Sequence, residues 1–157
     1  MNELCRAYYK SELGIIEVKG DEEGVHSLDF MDKGEIVLQI NKNIPAVLAN
    51  CLKQLDEYFK GARKEFNLKL VLQGTDFQKK VWEKLLKVPF GKTASYKDIA
   101  LSLGNVKAVR AVGGASGKNK IAIIIPCHRI IGKNGTLTGY AGGIWRKEWL
   151  LEHEGIL

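Results

Sequence analysis

The sequence predicts an α/β protein of two domains, with the boundary between residues 73 and 74. Before this point apolar residues form short or alternating runs, as in strands, and after it they recur at helical spacing. The charge changes at the same place. Residues 1–73 carry 10 Lys and Arg against 12 Asp and Glu, a net charge of −2, whereas residues 74–157 carry 14 against 6, a net charge of +8. We therefore predict a sheet-rich domain over 1–73 and a basic, mostly helical domain over 74–157.

The N-terminal domain is predicted to be a sheet with one covering helix. The helix begins at Pro45, because proline is favoured in the first helical turn, and it ends at Gly61. Its apolar residues repeat at helical spacing and include Cys51, which we expect in the core. Four strands are predicted from apolar runs separated by Gly- and Asp-containing turns, at residues 14–18, 25–31, 35–40 and 66–72.

The C-terminal domain opens with two helix-capping patterns. Thr75 followed by Gln78 is typical of a capping box and predicts a helix that ends before Pro89. Ser95 and Asp98 have the same spacing and predict a short second helix. The domain therefore begins with a helix that buries Phe77, Val81, Trp82, Leu85 and Leu86, followed by a shorter one.

A helix-turn-helix is predicted from the residues that follow. Gly104 ends the short helix in a turn, and Asn105 caps another helix that runs to about Ala115. Small residues leave one face of this helix nearly bare, while Arg110 projects from its middle. A bare face permits close backbone approach, either to DNA or to a neighbouring helix, and the pattern alone favours neither.

The basic charge of residues 74–157 indicates a polyanionic partner such as nucleic acid, because Lys and Arg neutralise phosphates and release their counterions. A solubilising surface explains the same charge equally well.

The longest apolar run, residues 121–126, is too short to span a membrane, and the N-terminus lacks the pattern of a signal peptide. We expect a cytoplasmic protein.

The three cysteines are widely spaced and form no CxxC pair, which argues against a disulfide framework and a cysteine-rich zinc module. We expect free thiols, although a bridge between Cys5 and Cys51 stays open at this point.

Cys127 stands apart, because it is followed by His128 and Arg129 directly after the apolar run 121–126, which we predict to be a buried strand. A thiol next to cationic or basic groups becomes a good nucleophile. The alternative is an inert buried cysteine beside a histidine that is satisfied by the core.

Taken in order, these segments resemble the O6-alkylguanine-DNA alkyltransferase family, the methylated-DNA–protein-cysteine methyltransferases. The resemblance covers essentially all of residues 75–157, and the run Pro-Cys-His-Arg within this order is its most specific part. The N-terminal part agrees in layout only, and by resemblance it is expected to be a ribonuclease H-like sheet with a helix. The matching segments are Phe77–Trp82, Ser95–Tyr96, Arg110–Gly114, Asn119, Ile125–Arg129, Gly139–Gly143 and Lys147 to Glu154.

The resemblance implies a catalytic role for four residues. Cys127 would be the nucleophile, activated through a water by His128, which Glu154 would hold. Tyr96 would form a hydrogen bond to the guanine as negative charge develops, and would also crowd a phosphate to favour rotation of the base. Asn119 would organise the turn before the active-site segment.

The resemblance also implies the DNA-binding and pocket residues. Arg110 would enter the base stack from the minor groove, because a base must leave the duplex before O6 can react. The other implied DNA contacts are Ser95, Tyr96, Ala111, Gly113, Gly114 and Arg129. The pocket would be formed by Tyr140, Ala141 and Gly142 together with Ile130 and Ser116, where Ser116 stands in place of a methionine found in some relatives.

The implied reaction is an irreversible, single-turnover transfer of an alkyl group from O6 of guanine, and from O4 of thymine, in double-stranded DNA to Cys127. It needs no cofactor, and the protein is expected to act as a monomer. Some relatives bind zinc; here Cys5 and His26 match two of the ligands, but Asp21 stands in place of a cysteine, so no metal is expected. Two rival functions are a non-catalytic lesion binder, which would lack the reactive cysteine, and a cysteine hydrolase, which would turn over repeatedly.

Overall fold

A computed structural model describes residues 4–32 and 43–157, and it divides the chain into two compact units, residues 1–72 and residues 73–157. The first unit combines an antiparallel sheet with a helix, and the second is mostly helical. The α/β class predicted from the sequence is therefore confirmed. Within the described ranges, no helix is both long and apolar enough to cross a membrane.

Among residues 4–32 and 43–72, the sheet of the first unit contains three antiparallel strands in the order β1-β2-β3, which are β1 (Cys5–Ser11), β2 (Gly14–Asp21) and β3 (Gly24–Phe30). The predictions of strands at 14–18 and 25–31 are correct. Strand β1 was not predicted, and it pairs with β2 along its whole length, from Cys5 opposite Gly20 to Ser11 opposite Gly14. Cys5 is a free thiol in this strand and Cys51 is a free thiol elsewhere, so the two do not form a bridge.

Helix α1 (Ala46–Phe59) packs on this sheet. Pro45 occupies the position just before the helix, and Gly61 follows its end with a φ of 79°. Cys51 is fully buried on the inner face, as predicted, together with Leu48 and Leu55. Burial raises the pKa of the Cys51 thiol to about 12, so this cysteine is inert.

The prediction of a strand at 66–72 is wrong. This segment makes a single parallel bridge, between Val25 and Leu70, and is otherwise irregular. The reason is that Gln54, on helix α1, binds the backbone of Asn67, with its side-chain amide donating to the carbonyl oxygen at 3.0 Å and accepting from the N–H at 2.9 Å. A side chain therefore satisfies backbone groups that a strand would present to its neighbour. The predicted strand at 35–40 lies outside the described residues.

The second unit contains four helices, and both capping boxes are confirmed. Thr75 Oγ1 accepts from Gln78 N at 3.1 Å, and Ser95 Oγ accepts from Asp98 N at 3.0 Å, each with the reciprocal bond. A side-chain bond from Trp82 Nε1 to the carbonyl oxygen of Ala115, 2.9 Å long and buried, links the first helix to the third. The helices are α2 (Asp76–Leu85), α3 (Tyr96–Ser102), α4 (Val109–Gly117) and α5 (Ile144–His153).

Helices α3 and α4 are joined at Gly104, whose φ of 76° suits glycine, as the helix-turn-helix prediction required. The prediction of one continuous helix from residue 106 is wrong in detail. Asn105 Oδ1 accepts from Lys107 N at 3.2 Å and caps a short 3₁₀ turn, Val106–Ala108, before α4 begins. Helix α4 then continues to Gly117 and packs against α2 and α3.

The run 121–126 is mostly buried but is not a strand. The prediction of a buried strand before Cys127 is therefore wrong. It folds through tight turns, with Ile124 N donating to Ala122 O at 2.7 Å and Ile125 N donating to Ile121 O at 3.0 Å. Ile123 has a φ of 69°, a conformation that is strained for a β-branched residue. A short-range network around Asn119 holds this geometry, and it also determines the position of the cysteine that follows.

Candidate active site

Cys127 begins a single 3₁₀ turn, Cys127–Arg129, at the end of this buried segment. Its sulfur accepts a hydrogen bond from Asn119 Nδ2 at 3.2 Å. The same amide nitrogen donates to the carbonyl oxygen of Ile125 at 2.9 Å, and Asn119 Oδ1 accepts from Ile121 N at 2.9 Å. Asn119 therefore fixes the sulfur and the strained segment together, which agrees with the organising role expected for it.

The pKa of the Cys127 thiol is raised, because burial disfavours the thiolate more than the Asn119 hydrogen bond and the charge of Lys147 favour it. At neutral pH the resting sulfur is therefore protonated. To act as a nucleophile it must lose this proton to a base when the reaction occurs.

His128 and Glu154 form a buried pair beside this cysteine in the chain. Their side chains have no exposed surface, and His128 Nε2 lies 2.7 Å from Glu154 Oε2. The pKa of His128 is lowered, because burial outweighs the opposing effect of Glu154. A neutral ring that donates from Nε2 to the carboxylate has its lone pair on Nδ1, which is buried and has no hydrogen-bond partner among the described residues. His128 is therefore equipped to accept a proton at Nδ1.

Arg129 also binds Glu154, a contact that the sequence analysis missed. Its Nε donates to Oε1 at 2.7 Å and its Nη2 to Oε2 at 3.1 Å, while Nη1 donates to the carbonyl oxygen of Val88 at 2.7 Å. Arg129 was expected among the DNA contacts, but only 7% of it is exposed. The structure instead places its guanidinium as the counter-ion of the carboxylate that holds His128.

Tyr96, the first residue of α3, is connected to a second buried cation. Its hydroxyl lies 3.1 Å from Thr138 Oγ1, and Lys147 Nζ donates to the same Thr138 oxygen at 3.0 Å. Lys147 also donates to the carbonyl oxygens of Ile130 at 2.5 Å and Thr138 at 3.3 Å. The sequence analysis assigned no role to Lys147 or Thr138. A signal was present, since Lys147 shares the inner face of α5 with Leu150, Leu151 and Glu154.

The remaining pocket candidates are three residues of the loop before α5 and two buried residues, Ile130 and Ser116. Tyr140 has a buried hydroxyl without a partner among the described residues, and burial raises its pKa well above the usual range, with a further contribution from the charge of a Cys127 thiolate. Gly142, in the same loop, accepts a hydrogen bond from Arg146 Nη1 at 3.1 Å, whereas Ala141 is exposed. Ile130 and Ser116 are both buried, at 1% and 7% exposure, and the Ile130 carbonyl already accepts from Lys147.

The outer face of α4 is bare and exposed, as the sequence suggested. Arg110, Ala111 and Gly114 are exposed, and a Cβ added at Gly114 would meet nothing within 4 Å. Gly113 lies nearer to α3, where an added Cβ would come within 3.9 Å of the Tyr96 ring. The Ser95 hydroxyl caps α3 and so accepts from Asp98.

Two family models match the chain. The "6-O-methylguanine DNA methyltransferase, ribonuclease-like domain" matches residues 4–72, and the "6-O-methylguanine DNA methyltransferase, DNA binding domain" matches residues 76–156. The chain belongs to this methyltransferase family. A methylated-DNA–protein-cysteine methyltransferase from Methanosarcina acetivorans is 46% identical over 152 residues, which are 95% of this chain and 97% of that protein.

Further relatives of this chain support the same family assignment. The constitutive methylated-DNA–protein-cysteine methyltransferase of Bacillus subtilis is 44% identical over 94% of this chain and 93% of its own. The crystal structure of Mycobacterium tuberculosis OGT in complex with DNA has a TM-score of 0.84 and 43% identity, covering 94% of this chain and 90% of that one. The family and the enzyme class predicted from the sequence are therefore confirmed, and the family assignment favours a transferase over a cysteine hydrolase.

Proposed function

We propose that the protein repairs double-stranded DNA by moving an alkyl group from O6 of guanine, and from O4 of thymine, to the sulfur of Cys127. The observation that carries the proposal is the Cys127 sulfur, held by Asn119 and next in the chain to a histidine that binds Glu154 and whose Nδ1 has no other partner among the described residues. Burial raises the pKa of the thiol and lowers the pKa of the histidine. This combination suits a nucleophile that is deprotonated only during the reaction.

In the proposed step the S–C bond forms as the C–O6 bond breaks. The thiol proton passes to His128 Nδ1 through a bridging water, and Glu154 stabilises the resulting imidazolium. The electron pair of the broken bond stays on the base, and a hydrogen bond from Tyr96 stabilises the negative charge that develops there. The product is a thioether, which has no leaving group that could restore the thiol, so each molecule reacts once.

Recognition of the duplex is assigned to α4. Ala111 and Gly114, which are exposed, and the half-buried Gly113 carry little or no side chain and would allow the backbone of α4 to approach the minor groove closely, and Arg110 would fill the space left by a flipped base. The net charge of +8 over residues 74–157 supplies attraction to phosphates. Ser95 and Tyr96, at the start of α3, would contact the phosphate backbone near this groove.

The flipped base would enter a pocket formed by Tyr140, Ala141, Gly142, Ile130 and Ser116. Apolar and backbone groups dominate this set, which suits a flat, uncharged base. That the protein needs no cofactor, acts as a monomer and is located in the cytoplasm remain predictions.

The test uses the full chain and a DNA duplex with one O6-methylguanine. Intact mass and peptide mapping should show a single methyl group on the peptide that contains Cys127, in an amount equal to the guanine repaired. Cys127→Ser should show no transfer. Lesion binding without modification would instead indicate a sensor, and repeated product release from an unmodified protein would indicate a hydrolase.

A further inference from the structure

Lys147 is a buried cation with unusual partners. Its side chain is among the largest fully buried ones, with 1% of the residue exposed. All three of its hydrogen-bond acceptors, the Ile130 carbonyl, the Thr138 carbonyl and the Thr138 hydroxyl, are neutral. An ammonium without a carboxylate partner is costly to bury, so this placement requires an explanation beyond packing.

Three acceptors surround the ammonium, and this favours one direction for the hydrogen bond that follows. Because Lys147 can only donate, Thr138 Oγ1 must accept from it. The Thr138 hydroxyl proton then has one acceptor among the described residues, the hydroxyl oxygen of Tyr96 at 3.1 Å. If Tyr96 donated to Thr138 instead, the Thr138 proton would be left without an acceptor among the described residues.

We infer that Lys147 and Thr138 are positioning residues that orient the Tyr96 hydroxyl so that its proton points to the leaving base. The chain of donors runs from Lys147 to Thr138 to Tyr96, and the positive charge at its start strengthens each donor along it. Tyr96 is then a donor before the substrate arrives, so no hydrogen bond has to be reversed during the reaction. This inference rests on the proposed function and adds a direction to it.

The decisive experiment measures single-turnover transfer from free O6-benzylguanine, which needs no DNA binding. Thr138→Val removes the relay hydroxyl while keeping the shape, and it should slow transfer about tenfold, the effect of losing roughly one good hydrogen bond. Thr138→Ser keeps the hydroxyl and should restore the rate to within about twofold. Thr93→Val makes the same change at an exposed threonine and serves as the control.

Two further measurements separate the relay from ordinary packing. In a Tyr96→Phe background, Thr138→Val should have no additional effect, because the proton that it orients is gone. Modification of Cys127 by iodoacetamide, read from the Cys127 peptide, should keep its wild-type rate in Thr138→Val, since iodide leaves without a proton. If valine prevents folding, as judged by circular dichroism, Thr138→Ala replaces it in each comparison.

The inference is overturned if Thr138→Val transfers at the wild-type rate, if its effect is undiminished in the Tyr96→Phe background, or if iodoacetamide modification slows equally. If the wild-type protein transfers no alkyl group from either substrate, O6-benzylguanine or methylated DNA, the proposed function itself is overturned. Lys147→Met should slow transfer at least as much as Thr138→Val, and a smaller effect would also contradict the relay.

Discussion

Arg129→Met should move the acid limb of the transfer reaction to higher pH by raising the pKa of His128. The Arg129 guanidinium donates two hydrogen bonds to Glu154, whose side chain has no exposed surface. Removing one partner of a buried ion pair costs about 3–5 kcal/mol, because the remaining charge is left without compensation. A domain of ordinary stability, about 5–15 kcal/mol, should stay mostly folded at this cost.

The buried carboxylate then has His128 as its nearby partner, and protonation of the ring compensates its charge. In the wild type the pKa of His128 is lowered, first by burial and further by the charge of Arg129, while Glu154 opposes both. Without Arg129 the pKa of His128 should rise. A histidine accepts a proton only at pH values above its pKa, so transfer should fall by about tenfold for each unit by which this pKa exceeds the pH of the assay, and it should recover at higher pH.

Transfer from O6-benzylguanine should be measured between about pH 5.5 and 9, together with unfolding in urea. Arg63→Met is the matched control, because Arg63 pairs with Glu57 at 3.3 Å on a partly exposed surface, and it should cost less than about 1 kcal/mol. The reasoning is refuted if Arg129→Met keeps both the wild-type acid limb of the pH profile and the wild-type stability.

Three other predictions follow from the site. Asn119→Ala removes three hydrogen bonds that hold the segment before Cys127 and should lower the free energy of unfolding by about 2–4 kcal/mol in a urea titration; an unchanged midpoint would contradict this. Arg110→Ala should slow repair of duplex DNA with little effect on O6-benzylguanine, and equal losses on both substrates would argue against a flipping role. Because burial raises the pKa of Cys127, its modification by iodoacetamide should still be accelerating at about pH 10, where a free thiol is almost fully ionised, whereas a plateau at or below that pH would show a thiol of ordinary or low pKa.

Local signals in the sequence were sufficient where the structure depends on neighbouring residues. Both capping boxes and the turn at Gly104 need only backbone groups a few residues away, and each formed as predicted. The apolar face of α1 and the burial of Cys51 also follow from periodicity alone.

The two wrong strand predictions arose where side chains, and not a neighbouring strand, satisfy the backbone. Gln54 binds Asn67 and prevents a strand, although residues 66–72 have the composition of one. Asn119 similarly folds an apolar run into turns instead of a strand. The partners of Arg129 and Lys147 could not be found by spacing, because Glu154 and Thr138 approach them only in the folded chain.

The raised pKa of Cys127 has a consequence for the life of each molecule before it meets damaged DNA. Thiolates attack peroxides, disulfides and small electrophiles, so a sulfur that stays protonated reacts with them more slowly. A conventional cysteine enzyme recovers its nucleophile after every cycle, but a protein that is consumed by one reaction loses its whole capacity to a single stray encounter. Under the proposed mechanism, the same burial that would make Cys127 depend on His128 for activation would also preserve it, unreacted, for the lesion.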